Sequence, residues 1–234
     1  MFDGHLRAGV AKAVDPVGAR LHRAGVTADH LTAFGVAASA ATATVIATGH
    51  LLWAAALLAL AGAGDLLDGP VAKAAGTTSV RGAFFDSVSD RLSDALVFFG
   101  VAWHLLATRG DHYSLLPMAI LGAAALVSYT RAKADALGYD ATGGLMERAE
   151  RFLTLGFALL FPVLLMATLW VLFTLTALTA IQRFVKVWRQ ADRPARSTPP
   201  RRNPRPGTRR DTARTTAARS RRSESWRRST RRAR

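Results

Sequence analysis

The chain has 234 residues, of which half are apolar and none is cysteine, and its formal net charge is +15. Without cysteine, the chain can form no disulfide, thiolate metal site or thiol nucleophile. The charge is concentrated at the C-terminus, since residues 189–234 hold 17 arginines against three acidic residues. The rest of the chain is therefore almost neutral.

The first 28 residues mix polar and apolar side chains and include the basic residues Arg7, Lys12, Arg20 and Arg23. They contain no uninterrupted apolar stretch followed by a small-residue cleavage site, which argues against a removable signal peptide. We predict an amphipathic helix that lies on the membrane surface. Thr27 or Asp29 is suited to cap the next helix.

Long apolar runs follow at about 33–48, 51–63, 95–107, 114–130 and 152–182. A helix needs ~20 mostly apolar residues to cross a bilayer, so these runs favour membrane helices. The last run would hold two spans with a turn near 162–168, because a single tilted span would place the tail opposite the other basic clusters. We predict an all-α integral membrane protein of the cell membrane, with six transmembrane helices over residues 29–188 and both termini cytoplasmic.

The tail, residues 189–234, is rich in Arg, Pro, Ser and Thr. Such a composition cannot bury enough surface to fold, so we predict a disordered cytoplasmic segment. Each basic residue near a membrane contributes about 1 kcal/mol of attraction to anionic lipids, which are the predicted partners. Nucleic acid is the less favoured alternative, since Trp226 is the tail's one aromatic residue.

Five aspartates interrupt the apolar sequence: Asp65, Asp68, Asp86, Asp90 and Asp94. An ionised Asp near the middle of a membrane helix costs ~2.5 to 3.5 kcal/mol, so these residues should face a wet cavity. The first four form two pairs, spaced by three and four residues, and each pair shares one helix face. Facing pairs of oxygen ligands without His or Cys predict a site for a hard divalent cation, Mg²⁺ or Mn²⁺.

Small and cationic residues accompany the carboxylates. Gly69 and Gly82 would let a bulky ligand approach the backbone, and Lys73 and Arg81 are suited to a phosphate. These features predict a phosphorylated lipid substrate at the membrane surface. The alternative is that the acids and bases only neutralise one another, although four acids against two bases would leave an imbalance.

The pattern Asp65-x2-Asp68-Gly69-x2-Ala72-Lys73-x8-Gly82-x3-Asp86-x3-Asp90 resembles the signature of the CDP-alcohol phosphatidyltransferase family. The similarity extends over residues 5–189. At position 73 the family usually has Arg, and Lys keeps the charge but loses the bidentate fork. The resemblance implies six membrane helices, usually a homodimer, and transfer of a phosphatidyl group from CDP-diacylglycerol to an alcohol with release of CMP.

The resemblance also implies roles for individual residues. Asp65, Asp68 and Asp86 would bind metal, and Asp90 would bind metal or act as the general base. In-line phosphoryl transfer assisted by two metal ions fits these parts. Asp94 lies outside the signature and is either a supporting carboxylate or a partner for Arg91. The residues placed against CDP-diacylglycerol are Asp29, His30, Leu31, Thr32, Gly69, Lys73 and Ser79.

Polar residues at the inner ends of the last three spans should converge on the same face. They resemble one branch of the family, the actinobacterial phosphatidylinositol phosphate synthases, in which a basic pocket accepts 1D-myo-inositol 3-phosphate. The order of Arg131 and Lys133 is reversed relative to that branch, and ordinary headgroup-level basic residues are the alternative interpretation. The candidate ligands of the acceptor's phosphate are Ser128, Arg131, Lys133, Arg151 and Arg183.

Two rival functions stay open at this point. A phosphatidylglycerol phosphate synthase or another member of the family would differ only in the acceptor. An ion-coupled membrane transporter would also use intramembrane carboxylates, but it would not need the glycine and alanine spacing found here.

Overall fold

The computed structural model describes residues 14–76 and 79–192, which belong to one compact unit, Met1–Asp192. The predicted tail beyond Asp192 lies outside the described residues. Within them, residues 14–23 are helical and no strand is present. The longer helices are α1 (Ala28–Ala47), α2 (Leu51–Ala75), α3 (Val80–Arg109), α4 (Asp111–Leu137), α5 (Arg148–Leu160) and α6 (Leu165–Ala191).

Side-chain caps fix the starts of α1 and α3. Thr27 caps α1, since its hydroxyl accepts a hydrogen bond from the His30 backbone N–H at 3.2 Å, and the Thr27 N–H donates to the His30 ring at 3.5 Å. Ser79 caps α3 by accepting from the Gly82 N–H at 3.0 Å. The prediction of an N-cap at Thr27 is confirmed.

Four helical segments are long and apolar enough to cross a membrane: α1, α2, α4 and Pro162–Ala191. The prediction of an all-α protein with membrane helices is confirmed at this level. The first half of α3 carries most of its charged residues. At 1.5 Å per residue, the 13 residues of α5 reach ~20 Å, short of a ~30 Å hydrocarbon core.

The fifth and sixth helices have different limits from those predicted. The chain breaks at Phe161 and forms a 3-10 turn over Pro162–Leu164, because proline cannot continue the backbone hydrogen bonding of α5. This break excludes one continuous helix. The run predicted as 152–182 is also extended at both ends, since α5 begins at Arg148 and α6 continues to Ala191.

Packing of the helices brings the polar ends together. Helices α2 and α3 each pack on α1, α4 packs on α3 and α6, and α5 packs on α2 and α6. At the crossing of α1 and α3, a Cβ added to Gly100 would lie 2.6 Å from the Ala43 carbonyl oxygen. Glycine is therefore required for this close approach. The fully buried apolar side chains include Ile46, Phe98, Leu105, Ile120, Leu155, Leu159, Leu169 and Leu172.

Residues 14–23 lie against the C-terminal end of α2. A Cβ added to Gly18 would lie 2.7 Å from the Cβ of Pro70, so the two backbones are closely packed. Residues 14–23 are helical, and an amphipathic helix over residues 1–28 on the membrane surface stays a prediction.

Candidate active site

The two predicted carboxylate pairs lie on α2 and α3, and all four side chains are partly buried. Asp68 interacts electrostatically with Asp86, Asp65 and Asp90. The two carboxylate pairs are therefore close enough to interact electrostatically. The fold has brought together acids that are up to 25 positions apart in the chain.

Arg148, the first residue of α5, lies among these acids. Its Nη1 forms an ion pair with Asp65 and a second with Oδ1 of Asp90 at 2.5 Å. Its Nε lies 3.5 Å from Oδ1 of Asp94, and its guanidinium carbon is 4.8 Å from the centre of the Phe152 ring. One arginine thus bridges the carboxylates of α2 and α3.

The four predicted metal ligands are chemically suited to a hard divalent cation, because each offers carboxylate oxygens. Over residues 14–76 and 79–192, however, no three acidic or histidine side chains converge closely enough to surround an ion. In this part of the chain, α2 and α3 both pack on α1, and Arg148 pairs with both Asp65 and Asp90.

The residues predicted to contact CDP-diacylglycerol lie around the starts of α1 and α3 and the end of α2. A Cβ added to Gly69 would meet nothing within 4 Å, so the surface there is open. Lys73 pairs with Asp15 of the N-terminal segment at 2.9 Å. A Cβ added to Gly82 would lie 3.9 Å from Asp29, so the first turn of α1 adjoins α3.

Three other members of this set have structural contacts. His30 and Ser79 act in the helix caps, and buried Thr32 donates to the Ala28 carbonyl at 3.1 Å. Leu31 has its carbonyl oxygen 3.5 Å from the position of a Cβ added to Gly64, at the contact of α1 with α2. The predicted contact of these residues with CDP-diacylglycerol stays a prediction.

A polar cavity of about 210 Å³ opens beside the carboxylates and joins Asp90 to four of the five predicted acceptor ligands. Lys133 is the exception, because it is exposed on α4 and does not line the cavity. The lining residues are Asp90, Arg91, Asp94, Val127, Ser128, Arg131, Glu147, Arg148, Ala149, Glu150, Arg151 and Arg183.

Two arginines of this cavity are almost fully buried and engaged in protein contacts. Arg151 is 2% exposed, and its Nη2 lies 2.6 Å from Asp94. Arg183 is 4% exposed and donates to the Gly143 carbonyl at 2.8 Å and to Glu147 at 2.9 Å. Both side chains therefore help to build the cavity in addition to facing it.

The loop between α4 and α5 is fastened to α6 by side chains on one helix face. Thr179 accepts from the Met146 N–H at 3.1 Å, Lys186 contacts Asp140 at 2.8 Å, and Gln190 exchanges two hydrogen bonds with the Asp140 backbone. Lys186 and then Thr142 hold the pKa of the Asp140 carboxyl below its ordinary value. The ion pair of Lys186 with Asp140 is therefore kept at neutral pH and is lost when acid protonates the Asp140 carboxyl.

The sequence places Glu147 and Arg148 in the polar segment that opens the fifth helix, but it predicted no role for either and left Asp94 undecided. Asp94 pairs with Arg151, while Arg91 lies 3.6 Å from Asp90, so of the two alternatives for Asp94 the pairing with Arg91 is wrong. Arg148 and Arg151 are three residues apart at the start of a helix, and this spacing places both on one face. That signal was available in the sequence.

Comparison with known proteins identifies the family to which the chain belongs. A sequence model of the CDP-alcohol phosphatidyltransferase family matches residues 25–188. The chain belongs to this family, as the aspartate signature predicted, and it is a transferase of that class.

Within this family, the chain is similar to several phosphatidylinositol phosphate synthases. The chain is 36% identical to the phosphatidylinositol phosphate synthase of Mycobacteroides abscessus, over 74% of this chain and 82% of that one. It is also similar to two crystal structures of the phosphatidylinositol phosphate synthase of Mycobacterium tuberculosis. The structure with CDP-DAG bound has a TM-score of 0.70 and 30% identity, covering 76% of this chain and 94% of the other. The structure with manganese and citrate has a TM-score of 0.68 and 31% identity, covering 75% and 88%.

Proposed function

We propose that the protein is a phosphatidylinositol phosphate synthase. It transfers the phosphatidyl group of CDP-diacylglycerol to 1D-myo-inositol 3-phosphate and releases CMP, as a step of phospholipid biosynthesis. The observation that carries this proposal is the cavity that joins Asp90 to Ser128, Arg131, Arg151 and Arg183. The names of the relatives support the same activity.

Asp90 is positioned to act as the general base. It lines the cavity, so it lies at the boundary between the carboxylates and the acceptor space. The acceptor hydroxyl oxygen attacks the β-phosphorus of CDP-diacylglycerol, the bond from that phosphorus to the oxygen of CMP breaks, and Asp90 takes the hydroxyl proton.

Asp65, Asp68, Asp86 and Asp90 are the proposed ligands of a divalent cation, Mg²⁺ or Mn²⁺, and we propose two ions. When bound, the ions supply charge stabilisation to the pyrophosphate and the leaving CMP. The all-oxygen donor set supports a hard cation, and a solved relative was crystallised with manganese. Gly69, Lys73, Ser79 and the first turn of α1, Asp29–Thr32, are proposed to face the nucleotide and its phosphates.

The acceptor's phosphate is assigned to the basic end of the cavity. Arg131 is exposed there and Ser128 lies one turn before it on α4, so both can contact a ligand directly. Arg151 and Arg183 contribute charge from fixed, buried positions. Five arginines and four acidic residues line the cavity, so its lining carries a net positive charge that favours a phosphorylated polyol.

The same proposal includes a membrane orientation, lipid contacts and an oligomeric state for the enzyme. The six helices would cross the membrane with both termini and the active site on the cytoplasmic side, and residues 1–28 would lie on the surface. The basic tail would bind anionic lipids, and the chain would form a homodimer. The positive-inside rule supports this orientation, because the basic loops share one side.

A CMP-release assay on the purified full-length protein tests the proposed activity. The substrates are CDP-diacylglycerol with Mg²⁺ and, in separate reactions, inositol 3-phosphate, inositol, glycerol 3-phosphate and serine. We expect release to be fastest with inositol 3-phosphate and the product to be phosphatidylinositol phosphate. Preference for glycerol 3-phosphate would instead assign a phosphatidylglycerol phosphate synthase, and equal use of unphosphorylated inositol would reject the phosphate pocket.

A further inference from the structure

Arg148 contacts both halves of the candidate site. Its guanidinium pairs with Asp65 on α2 and Asp90 on α3. The same side chain also lines the acceptor cavity, where Arg131, Arg151 and Arg183 are found. Arg148 therefore stands at the boundary between the proposed metal ligands and the proposed phosphate ligands.

The present position of Arg148 is incompatible with a cation held by Asp65 and Asp90 together. A guanidinium nitrogen 2.5 Å from Asp90 and paired with Asp65 occupies the space that an ion bridging the two would need. Two positive groups this close would also repel each other in a partly buried site. Only one of them can be bound there at a time.

The contacts of Arg148 also allow it to leave the carboxylates. Its buried Nε has no hydrogen-bond partner within the described residues. Its side chain is 21% exposed, so it has access to the cavity. Since α5 holds the backbone of Arg148 in place, the guanidinium can leave Asp65 and Asp90 by side-chain rotation alone.

We propose that Arg148 is a further ligand of the acceptor's phosphate, held by Asp65 and Asp90 until a divalent cation takes its place. The inference rests on the metal site and the acceptor proposed above. Release of Arg148 adds a positive charge to the cavity that the acceptor's phosphate can bind. The cation and the phosphorylated acceptor then bind cooperatively, and each strengthens the other by the same factor.

Binding of Mn²⁺, measured by electron paramagnetic resonance on the full-length protein in detergent, tests the first half of this proposal without any turnover. Arg148→Met removes the guanidinium and keeps an apolar chain beside Phe152. Loss of one charge-assisted pair is worth roughly tenfold in affinity, so we expect Mn²⁺ to bind at least about tenfold more tightly. Arg91→Met is the matched control, because Arg91 also lies near Asp90, at 3.6 Å, but is more exposed.

Isothermal titration with inositol 3-phosphate, with and without Mn²⁺, tests the second half. In the wild type, Mn²⁺ should raise the affinity for the acceptor several-fold. In Arg148→Met this gain should disappear, because no side chain is released into the cavity. Arg148→Lys keeps the charge without the planar fork and should show an intermediate Mn²⁺ affinity, which keeps the test available if the methionine variant does not fold.

If Mn²⁺ binding tightens equally in Arg148→Met and Arg91→Met, general charge repulsion explains the effect. That result would overturn the proposed displacement of Arg148 by the cation. An unchanged or weaker Mn²⁺ affinity in Arg148→Met and Arg148→Lys, or acceptor coupling that persists in Arg148→Met, would overturn it as well. Asp65→Asn separates this failure from that of the metal site. If Mn²⁺ binding is lost in Asp65→Asn, the site stands and only the role of Arg148 is rejected; if the wild type binds no Mn²⁺, both are rejected.

Discussion

Arg151 and Asp94 show how a residue chosen for ligand binding can also be part of the fold. Their side chains are 3% and 8% exposed and lie 2.6 Å apart. A buried ion pair adds little net stability over an apolar pair, but removal of one partner leaves a charge without hydration. The stability of the site and its affinity for the acceptor are therefore linked at this pair.

We predict that Arg151→Ala lowers the melting temperature strongly, because a buried carboxylate without its partner costs about 3–5 kcal/mol. The double variant Arg151→Met with Asp94→Asn should recover much of this loss, since it leaves neither charge buried. Melting curves of the purified variants in one detergent provide the measurement. A wild-type melting temperature for Arg151→Ala would contradict the structural role.

Asp90 is the proposed general base, and its role can be separated from substrate binding. Asp90→Asn keeps the shape of the side chain but removes the proton acceptor, so turnover should fall by roughly 10²- to 10⁴-fold. Binding of CDP-diacylglycerol should change much less, because the base acts in the transition state. CMP release and equilibrium binding separate the two effects, and full activity of the variant would assign the proton to another group.

The crossing of α1 and α3 depends on one glycine. Gly100→Ala would place a methyl group 2.6 Å from the Ala43 carbonyl oxygen and 2.7 Å from its Cα, so the helices would have to separate. We expect a loss of about 1–3 kcal/mol, typical of overpacking, and a lower melting temperature. Because α3 carries Asp86 and Asp90, activity should fall with it.

Gly122→Ala in α4 is the matched control for this prediction, since an added Cβ there meets nothing within 4 Å. Its melting temperature should equal or slightly exceed that of the wild type, because alanine favours a helix over glycine. Equal effects of the two substitutions would show that the close packing of α1 and α3 is unimportant.

At the scale of helices, sequence patterns identified some features well and others poorly. Apolar runs located the helices, and the spacing of Asp65, Asp68, Asp86 and Asp90 placed each pair on one face. The turn predicted near 162–168 agrees with the 3-10 turn at Pro162–Leu164. The outer limits of α5 and α6 were wrong because the polar first turn of α5 and the polar end of α6 do not belong to the apolar pattern. The bridging position of Arg148 depends on how α5 packs against α2, which no local pattern contains.

For the whole molecule, the described residues that line the cavity and form the carboxylate pairs lie within residues 65–183. No residue of the aspartate signature or of the predicted acceptor pocket belongs to the Arg-rich tail. We therefore predict that deletion of residues 193–234 leaves CMP release in detergent nearly unchanged and weakens binding to vesicles that contain anionic lipid. Parallel assays in detergent and in vesicles check this, and a loss of activity in detergent would make the tail an integral part of the enzyme.

The cavity beside Asp90 is proposed to hold the phosphate of the acceptor. The most direct test compares Arg131→Ala with Lys133→Ala, because the two cations are two residues apart on α4 but only Arg131 lines the cavity. The measurement is the KM for inositol 3-phosphate at saturating CDP-diacylglycerol. Arg131→Ala should raise this KM about ten- to a hundredfold, while Lys133→Ala leaves it close to the wild-type value. Equal effects of the two substitutions, or none from Arg131→Ala, would contradict the account.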